Sequence, residues 1–336
     1  MRTAFGAAFD VPAGYLNTAS VGVPPAPTAA AVAGAVARWG SGEDGPEAAD
    51  AAVTTAREAF GRLVGVPADR VASGASVAQM VAMVAASLPV GARVLVAEGD
   101  FTSLTFPFAA RGSRVTEVPL EALASAAPGH DLVAVSVVQS ADGRIADLEG
   151  LRATGVPVLL DASQAVGWLP LSLGWADWVV AAGYKWLMSP RGCAWLACSP
   201  RGVTSAVPVA ANWWAGEDPW TSVYGLPLRL ARDARRLDIS PVWLSQHGAA
   251  VSLPYLASLD LAAVRDHGVG LADSVLEGLG LAARGSAIVS LSLPEGAGER
   301  LAAAGVRSAV RAGRVRLGFH LYNTAEDVDL VLRALR

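Results

Sequence analysis

The sequence predicts an α/β protein: a large domain on a mainly parallel sheet covered on both faces, then a smaller C-terminal α+β domain. Three observations carry this. Short, nearly uninterrupted apolar runs alternate with helix-like stretches through the middle of the chain, the pattern of strands buried on both sides. Beyond about Asp238 the texture changes to two long helical patterns followed by two further strands. A chain of 336 residues with 53% hydrophobic and 17% charged side chains can bury a large core and is too apolar to be disordered.

In chain order, residues 1–24 read as an irregular segment closing on Gly22-Val23-Pro24-Pro25. Ala26–Trp39 is Ala-rich and helix-like. Gly40-Ser41-Gly42-Glu43-Asp44-Gly45 has the G-x-G-x-x-G spacing of a dinucleotide loop. It follows a helix instead of a strand and carries two acids that would repel phosphate, so it is no nucleotide site. Pro46–Val64 reads as another helix. Strands are expected at Arg93–Ala97, Val115–Val118, Leu132–Val138, Val156–Leu160, Trp178–Ala182 and Ala194–Cys198, with helices at Val77–Leu88 and Leu120–Ala126. The C-terminal part reads as helices Leu244–Ser258 and Leu261–Leu279, strands Ile288–Leu293 and Val315–Phe319, and a last helix, Ala325–Leu335. The expected domains are residues 25–240 (large) and 241–336 (small), with 1–24 as a bordering segment.

Composition excludes several functions. A net charge of −4 gives no basic nucleic-acid footprint. The most apolar stretch, Val71–Ala97, is broken by Ser73, Ser76, Gln79, Ser87, Pro89 and Arg93, so no membrane span is expected. The N-terminus, Met1-Arg2-Thr3-Ala4-Phe5, opens no long apolar signal segment, and a soluble cytoplasmic protein is the expectation. Cys193 and Cys198, five apart in a strand-like run, point to opposite faces as two small buried hydrophobes. The four histidines are scattered, and no metal site is expected.

One count is more informative. Of 26 basic residues a single one is Lys, at position 185. Coding bias accounts for Arg replacing Lys on a surface, where either serves. It does not account for the one Lys that remains. Arg stays protonated in proteins, whereas a buried Lys amine can lose its proton and act as a nucleophile.

Three features fall where strands meet their following loops, the place where open α/β sheets put ligands. Ser73-Gly74-Ala75-Ser76 opens a helix: small residues, free N–H groups and a hydroxyl suit a phosphate, although Ser76 is equally an ordinary N-cap. Val156–Leu160 delivers Asp161 to its tip, with Gln164 three residues on; Asp161 either caps the next helix or holds a proton on a heteroaromatic nitrogen. Trp178–Ala182 leads to Gly183-Tyr184-Lys185-Trp186, where desolvation between two aromatics would lower the amine's pKa, as imine formation requires. Phosphate cradle, then Asp, then Lys is the equipment for pyridoxal 5'-phosphate (PLP).

With these residues the chain resembles the class V aminotransferase group of fold-type I PLP enzymes, which includes cysteine desulfurases, kynureninases and C–S lyases. Tyr15-Leu16-Asn17-Thr18-Ala19-Ser20 resembles the group's N-terminal segment, and Asp161-Ala162-Ser163-Gln164 its Asp-x-x-Gln. Gly183-Tyr184-Lys185-Trp186-Leu187 with Ser189-Pro190-Arg191-Gly192 resembles its lysine motif, and Arg316 to Thr324 its C-terminal Arg…Tyr-Asn-Thr signature. The resemblance implies a fold-type I transferase fold with a seven-stranded, mainly parallel sheet. It implies Lys185 as the covalent anchor of PLP, Asp161 on the pyridine nitrogen, Gln164 on the ring oxygen, and Ala75 and Ser76 on the phosphate, joined by Tyr184. Phe101 would stack on the ring, and Gln139 stands where relatives often carry a cofactor-contacting Asn. Arg316 would bind the substrate α-carboxylate and Asn17 line the same pocket. The group's homodimeric habit implies an active site at a subunit interface, with Trp213, Trp214 and Ser240 reaching the partner's site. Gly318 replaces a common Ser, and Ala182 and Tyr184 replace the Ser and His of desulfurases.

The residues also narrow the reaction. A desulfurase needs a nucleophilic Cys on a late loop, and no Cys follows Cys198. β-Elimination needs no such group. Asn212–Gly225 holds Trp213, Trp214, Trp220, Tyr224 and two acids, which suits either subunit packing or an aromatic, acidic recess for a quaternary ammonium. With Arg235–Pro241 after it, this stretch resembles the C–S lyases of ergothioneine biosynthesis, which implies hercynylcysteine sulfoxide, a trimethylammonium betaine, as the amino-acid substrate.

Overall fold

The structure is a computed structural model that describes all 336 residues. Helices and strands follow in the order β1 (Arg2–Ala4), β2 (Ala7–Phe9), α1 (Ala26–Ser41), α2 (Asp50–Val64), β3 (Val71–Gly74), α3 (Val77–Ser87), β4 (Arg93–Ala97), α4 (Thr102–Ala110), β5 (Arg114–Val118), α5 (Leu123–Ala126), β6 (Leu132–Ser136), α6 (Leu148–Ala153), β7 (Val158–Asp161), β8 (Trp178–Ala182), β9 (Ala194–Cys198), α7 (Pro200–Ser205), α8 (Trp243–Ala257), α9 (Leu261–Gly278), β10 (Ile288–Leu291), α10 (Ala297–Ala303), β11 (Ala309–Arg311), β12 (Arg314–Gly318) and α11 (Ala325–Leu335).

The large sheet has seven strands in the order β3-β9-β8-β7-β6-β4-β5. β9 runs antiparallel to both neighbours and the remaining pairs are parallel. Strand alternation divides its core. Val133 and Val135 belong to one face, and Leu132 and Ala134 to the other. Cys193 and Cys198 fall on opposite faces in the same way, both buried and free. The Gly40–Gly45 stretch ends α1, with Gly42 in the left-handed region at φ 76°. No helix is long and apolar enough to cross a membrane.

Some elements differ from the sequence reading. β3 was not foreseen, because a four-residue strand ending in Ser73-Gly74 shows no alternation long enough to read. β7 runs from Val158 to Asp161, so Asp161 is the strand's last residue and not the first residue beyond it. α4 was hidden by its internal Pro107. α6, α7 and α10 are too short, at six or seven residues, to show a helical period. The first 24 residues are not wholly irregular, since β1 and β2 form an antiparallel hairpin.

The small sheet is antiparallel in the order β10-β12-β11. The N-terminal segment bonds to the end of its central strand and to the lead-in of β11: Leu16 N–H donates to Arg307 O at 2.9 Å, and Gly318 N–H to Leu16 O at 2.8 Å. Leu16 is buried in the small core with Val289, Leu317 and Phe319. α8 packs on α1 and α2, and its Ala249, Leu253 and Leu256 lie in the large core. α9 serves both cores, with Val264 in the large one and Ala272, Val275 and Leu276 in the small one, so the packing changes over within α9. A helical pattern states that a face is buried but not against which sheet.

Candidate active site

The ends of β7 and β8, the β3–α3 turn and the start of α4 enclose one recess, lined among others by Ala75, Ser76, Phe101, Asp161, Tyr184 and Lys185. Its floor is the lysine loop. Lys185 is 7% exposed, with Nζ 5.2 Å from the centre of the Phe101 ring and 5.9 Å from that of Tyr184. Burial pushes its amine down to about 8, helped by Arg316, Arg311 and Arg191 and opposed by Asp161. Two glycines fix the loop. A Cβ on Gly22 would fall 1.9 Å from the Lys185 carbonyl oxygen, and one on Gly183 would fall 2.2 Å from Ser189 Oγ. Gly22 N–H donates to Tyr184 O at 2.9 Å, so the N-terminal segment is tied directly to the lysine loop.

Asp161 is buried at the tip of β7 and accepts from Ser163 N–H at 2.8 Å. Burial raises its carboxyl above the usual range, against the pull of Lys185. Ser163 Oγ in turn accepts from Ala182 N–H at 3.0 Å, which cross-ties the loops of β7 and β8. At the N-terminus of α3, Ser76 Oγ accepts from Gln79 N–H at 3.4 Å, and Ala75 N–H donates to Gln79 Oε1 at 3.1 Å. The N–H groups of Ser76, Val77 and Ala78 have no acceptor within the protein. Ser76 is thus an N-cap and leaves free donors as well.

The turn before α3 is held from behind. Asp238 accepts from Ser73 N–H at 2.7 Å and pairs with Arg57 at 2.6 Å, all three buried. Gln246 Nε2 donates to Ser73 Oγ at 3.0 Å. Phe101 is positioned by its neighbour: Asp100 accepts from the N–H groups of Phe101 at 2.7 Å and Ser136 at 2.8 Å.

The structure places other expected residues differently. Gln139 does not reach the recess. Its amide donates to Asp100 Oδ2 at 3.2 Å, so it supports Asp100. Gln164 sits beside the recess with both amide ends engaged: Nε2 donates to Ala19 O at 2.9 Å and Ser140 Oγ at 3.1 Å, and Oε1 accepts from Trp186 Nε1 at 2.8 Å. Trp213 packs against Trp214 and Trp220 with ring centres 5.4 and 5.3 Å apart, and it lines a separate cleft with Tyr224. Ser240 lines a third cleft, with Trp39 and His247. Within one chain none of these four lines the lysine recess.

Arg316 is 1% exposed, yet no carboxylate pairs with it. Its Nη1 donates to Ser140 O at 2.5 Å and Ser140 Oγ at 2.9 Å, its Nη2 to Ser20 Oγ at 2.8 Å, and its Nε has no partner. Burial, and then Arg311, push its guanidinium down to about 10. Asn17 Oδ1 is a second buried atom without a partner. An unpaired buried cation is costly, and a substrate carboxylate would relieve it. Ser20, Ser140 and Arg311 were not singled out from sequence, although Ser20 lies in the Tyr15–Ser20 motif and Ser140 adjoins Gln139.

No protein-family model matches the chain. It is 27% identical to the uncharacterized aminotransferase YcbU of Bacillus subtilis over 302 residues, 81% of this chain and 80% of that protein. It is 29% identical to isopenicillin N epimerase of Streptomyces clavuligerus over 244 residues, 62% of this chain and 60% of that one. Among solved structures it superposes on a cysteine desulfurase from Thermococcus onnurineus NA1 with a TM-score of 0.83 at 18% identity, covering 96% and 93% of the two chains. It matches the cystine C–S lyase C-DES equally well, with a TM-score of 0.83 at 18% identity, covering 96% and 97%. The chain has the fold-type I fold of PLP-dependent enzymes.

The recess suits that cofactor on its own chemistry. Free N–H donors at a helix start fit a phosphate. A buried carboxylate fits a protonated ring nitrogen, an aromatic face fits the ring, and a desolvated amine fits an aldehyde.

Proposed function

We propose that the protein is a PLP-dependent C–S lyase that cleaves a cysteine S-conjugate by β-elimination. The observation that carries this is the Lys185 amine, buried and brought down to about 8, in a recess that also holds Asp161, Phe101 and the free donors of α3. Bound PLP supplies electron withdrawal from the substrate Cα.

The protein's residues do the remainder. Ser76, Val77 and Ala78 N–H groups bind the phosphate, Asp161 keeps the ring nitrogen protonated, and Phe101 covers the ring. Arg316, with Asn17 beside it, orients the α-carboxylate and so fixes which bond at Cα is weakened. Lys185 Nζ takes the Cα proton. The Cβ–S bond then breaks with its electron pair leaving on sulfur. The released aminoacrylate hydrolyses to pyruvate and ammonia.

Two observations favour elimination over persulfide transfer. Cys193 and Cys198 are the only cysteines, and both are buried, one just before β9 and one at its end. Burial pushes the Cys193 thiol up to about 12, so it is a poor nucleophile at neutral pH. The favoured substrate is hercynylcysteine sulfoxide, whose departing sulfenate is a better leaving group than a thiolate. The support is the Trp213–Tyr224 stretch: exposed Tyr224 (92%) and Leu226 (90%) suit contact with a second copy, which would bring the indoles to that copy's recess in a homodimer.

The test is pyruvate release from a panel of cysteine S-conjugate sulfoxides, including the betaine. Stoichiometric pyruvate supports the lyase. Keto-acid exchange, epimerisation or a protein persulfide in its place would refute it and point to the aminotransferase or epimerase chemistry named for the two curated relatives.

A further inference from the structure

We propose that Arg311 and Arg316, sharing the hydroxyl of Ser20, form a two-cation clamp that selects substrates carrying a second carboxylate on the leaving group. This rests on reading Arg316 as the α-carboxylate site. It adds what the far end of the substrate must be.

The geometry is specific. Arg316 Nη2 donates to Ser20 Oγ at 2.8 Å, and Arg311 Nη2 approaches the same oxygen at 3.4 Å. Neither guanidinium lies within salt-bridge distance of any carboxylate in the chain. Two like charges separated by one hydroxyl repel, and a single α-carboxylate neutralises only one of them. The surrounding charges do not supply the other. Lys185 and Arg191 add two more cations to the same site, and Arg191 is taken up by the Tyr184 ring face, 5.0 Å from its centre. Asp161 is the one carboxylate lining the lysine recess. Asp100 is already consumed by Phe101, Ser136 and Gln139.

Position gives the direction of the clamp. Arg316 is buried in mid-β12, whereas Arg311 is exposed at the end of β11, beside the Ala312-Gly313 turn. An amino acid whose α-carboxylate sits on Arg316 would therefore extend its side chain outward past Arg311. A carboxylate on the departing fragment would meet that second guanidinium at the mouth of the site.

The experiment titrates the holoenzyme with glutarate and butyrate by calorimetry. It also measures pyruvate release from S-(2-carboxyethyl)cysteine sulfoxide and S-propylcysteine sulfoxide. Glutarate should bind more tightly than butyrate, and Arg311→Gln should remove about two- to fivefold of that preference, the scale of one exposed charged contact. Arg311→Lys should restore part of it. For the carboxyethyl substrate KM should rise in Arg311→Gln by a similar factor with kcat little changed. Equal binding of glutarate and butyrate, or an Arg311→Gln variant that weakens both alike, would overturn the clamp. Absence of pyruvate from both substrates with glutarate preference intact would refute the lyase reading while leaving the clamp standing.

Discussion

Lys185 and Arg316 are both buried cations with no salt-bridged acid in the chain, and burial disfavours the charged form of each. For Lys185 the sign follows from its depressed pKa. The unfolded chain keeps its proton to about 10.5, whereas the folded protein releases it near 8, so this group makes stability rise with pH between those values. Lys185→Met should therefore stabilise cofactor-free protein at pH 7 by up to about 3 kcal/mol, with the gain vanishing above pH 10.5. Thermal unfolding at the two pH values checks this. The same shift predicts that capture of added PLP by cofactor-free protein accelerates as pH rises and levels off above about 8, followed by absorbance. Arg316→Met should also stabilise the substrate-free protein, by about 1–3 kcal/mol, while raising KM for any amino-acid substrate by two orders of magnitude or more. A variant that loses both stability and turnover would show that the guanidinium supports the fold instead of awaiting a carboxylate.

Elements act on the site by holding loops from behind. The Arg57–Asp238 pair joins α2 to the segment before α8 and pins Ser73 at the end of β3, so the donors of α3 face the recess in a fixed arrangement. Asp238→Ala leaves Arg57 buried and unpaired. It should cost about 3–5 kcal/mol in denaturant unfolding and weaken PLP affinity besides. Gly22→Ala should displace the lysine loop, since the atom its Cβ meets first is the Lys185 backbone carbonyl oxygen, and slow PLP capture at unchanged Arg316 chemistry. At this scale the limits of sequence are plain. Lys185 and Asp161 stand out in the sequence because one follows and the other ends a long apolar run, whereas Ser76 stands out only through the small residues that open its helix. Past the end of β6, Gln139 turns toward Asp100 while its neighbour Ser140 reaches Arg316 and Gln164, a divergence that sequence spacing does not reveal. β3 and α4 were illegible because four residues, or a Pro within nine, carry no usable period.

At the scale of the whole molecule, the N-terminal segment ties the small sheet to the lysine loop, alongside direct contacts such as Arg316 to Ser140 and His320 to Trp186 O. That segment bonds to the small sheet at Leu16, offers Ser20 to Arg316, and closes over the lysine loop at Gly22. The parallel sheet and the later α+β unit were readable from texture. The assignment of α8 to the large core was not, because that is a tertiary choice. What a single chain leaves separate is the lysine recess and the Trp213–Tyr224 stretch. If a second copy joins them, the protein should sediment as a dimer, and Trp213→Ala and Trp220→Ala should raise KM for the betaine substrate without affecting a small S-alkylcysteine sulfoxide. The central claim is more local: one amine carries the chemistry. Borohydride reduction of the holoprotein followed by peptide mass spectrometry tests it directly. The account predicts one pyridoxyl-phosphate adduct on the Gly183–Trp186 peptide, at Lys185, and none in Lys185→Met. A holoprotein without that adduct, or a Lys185→Met variant with full turnover, would contradict it.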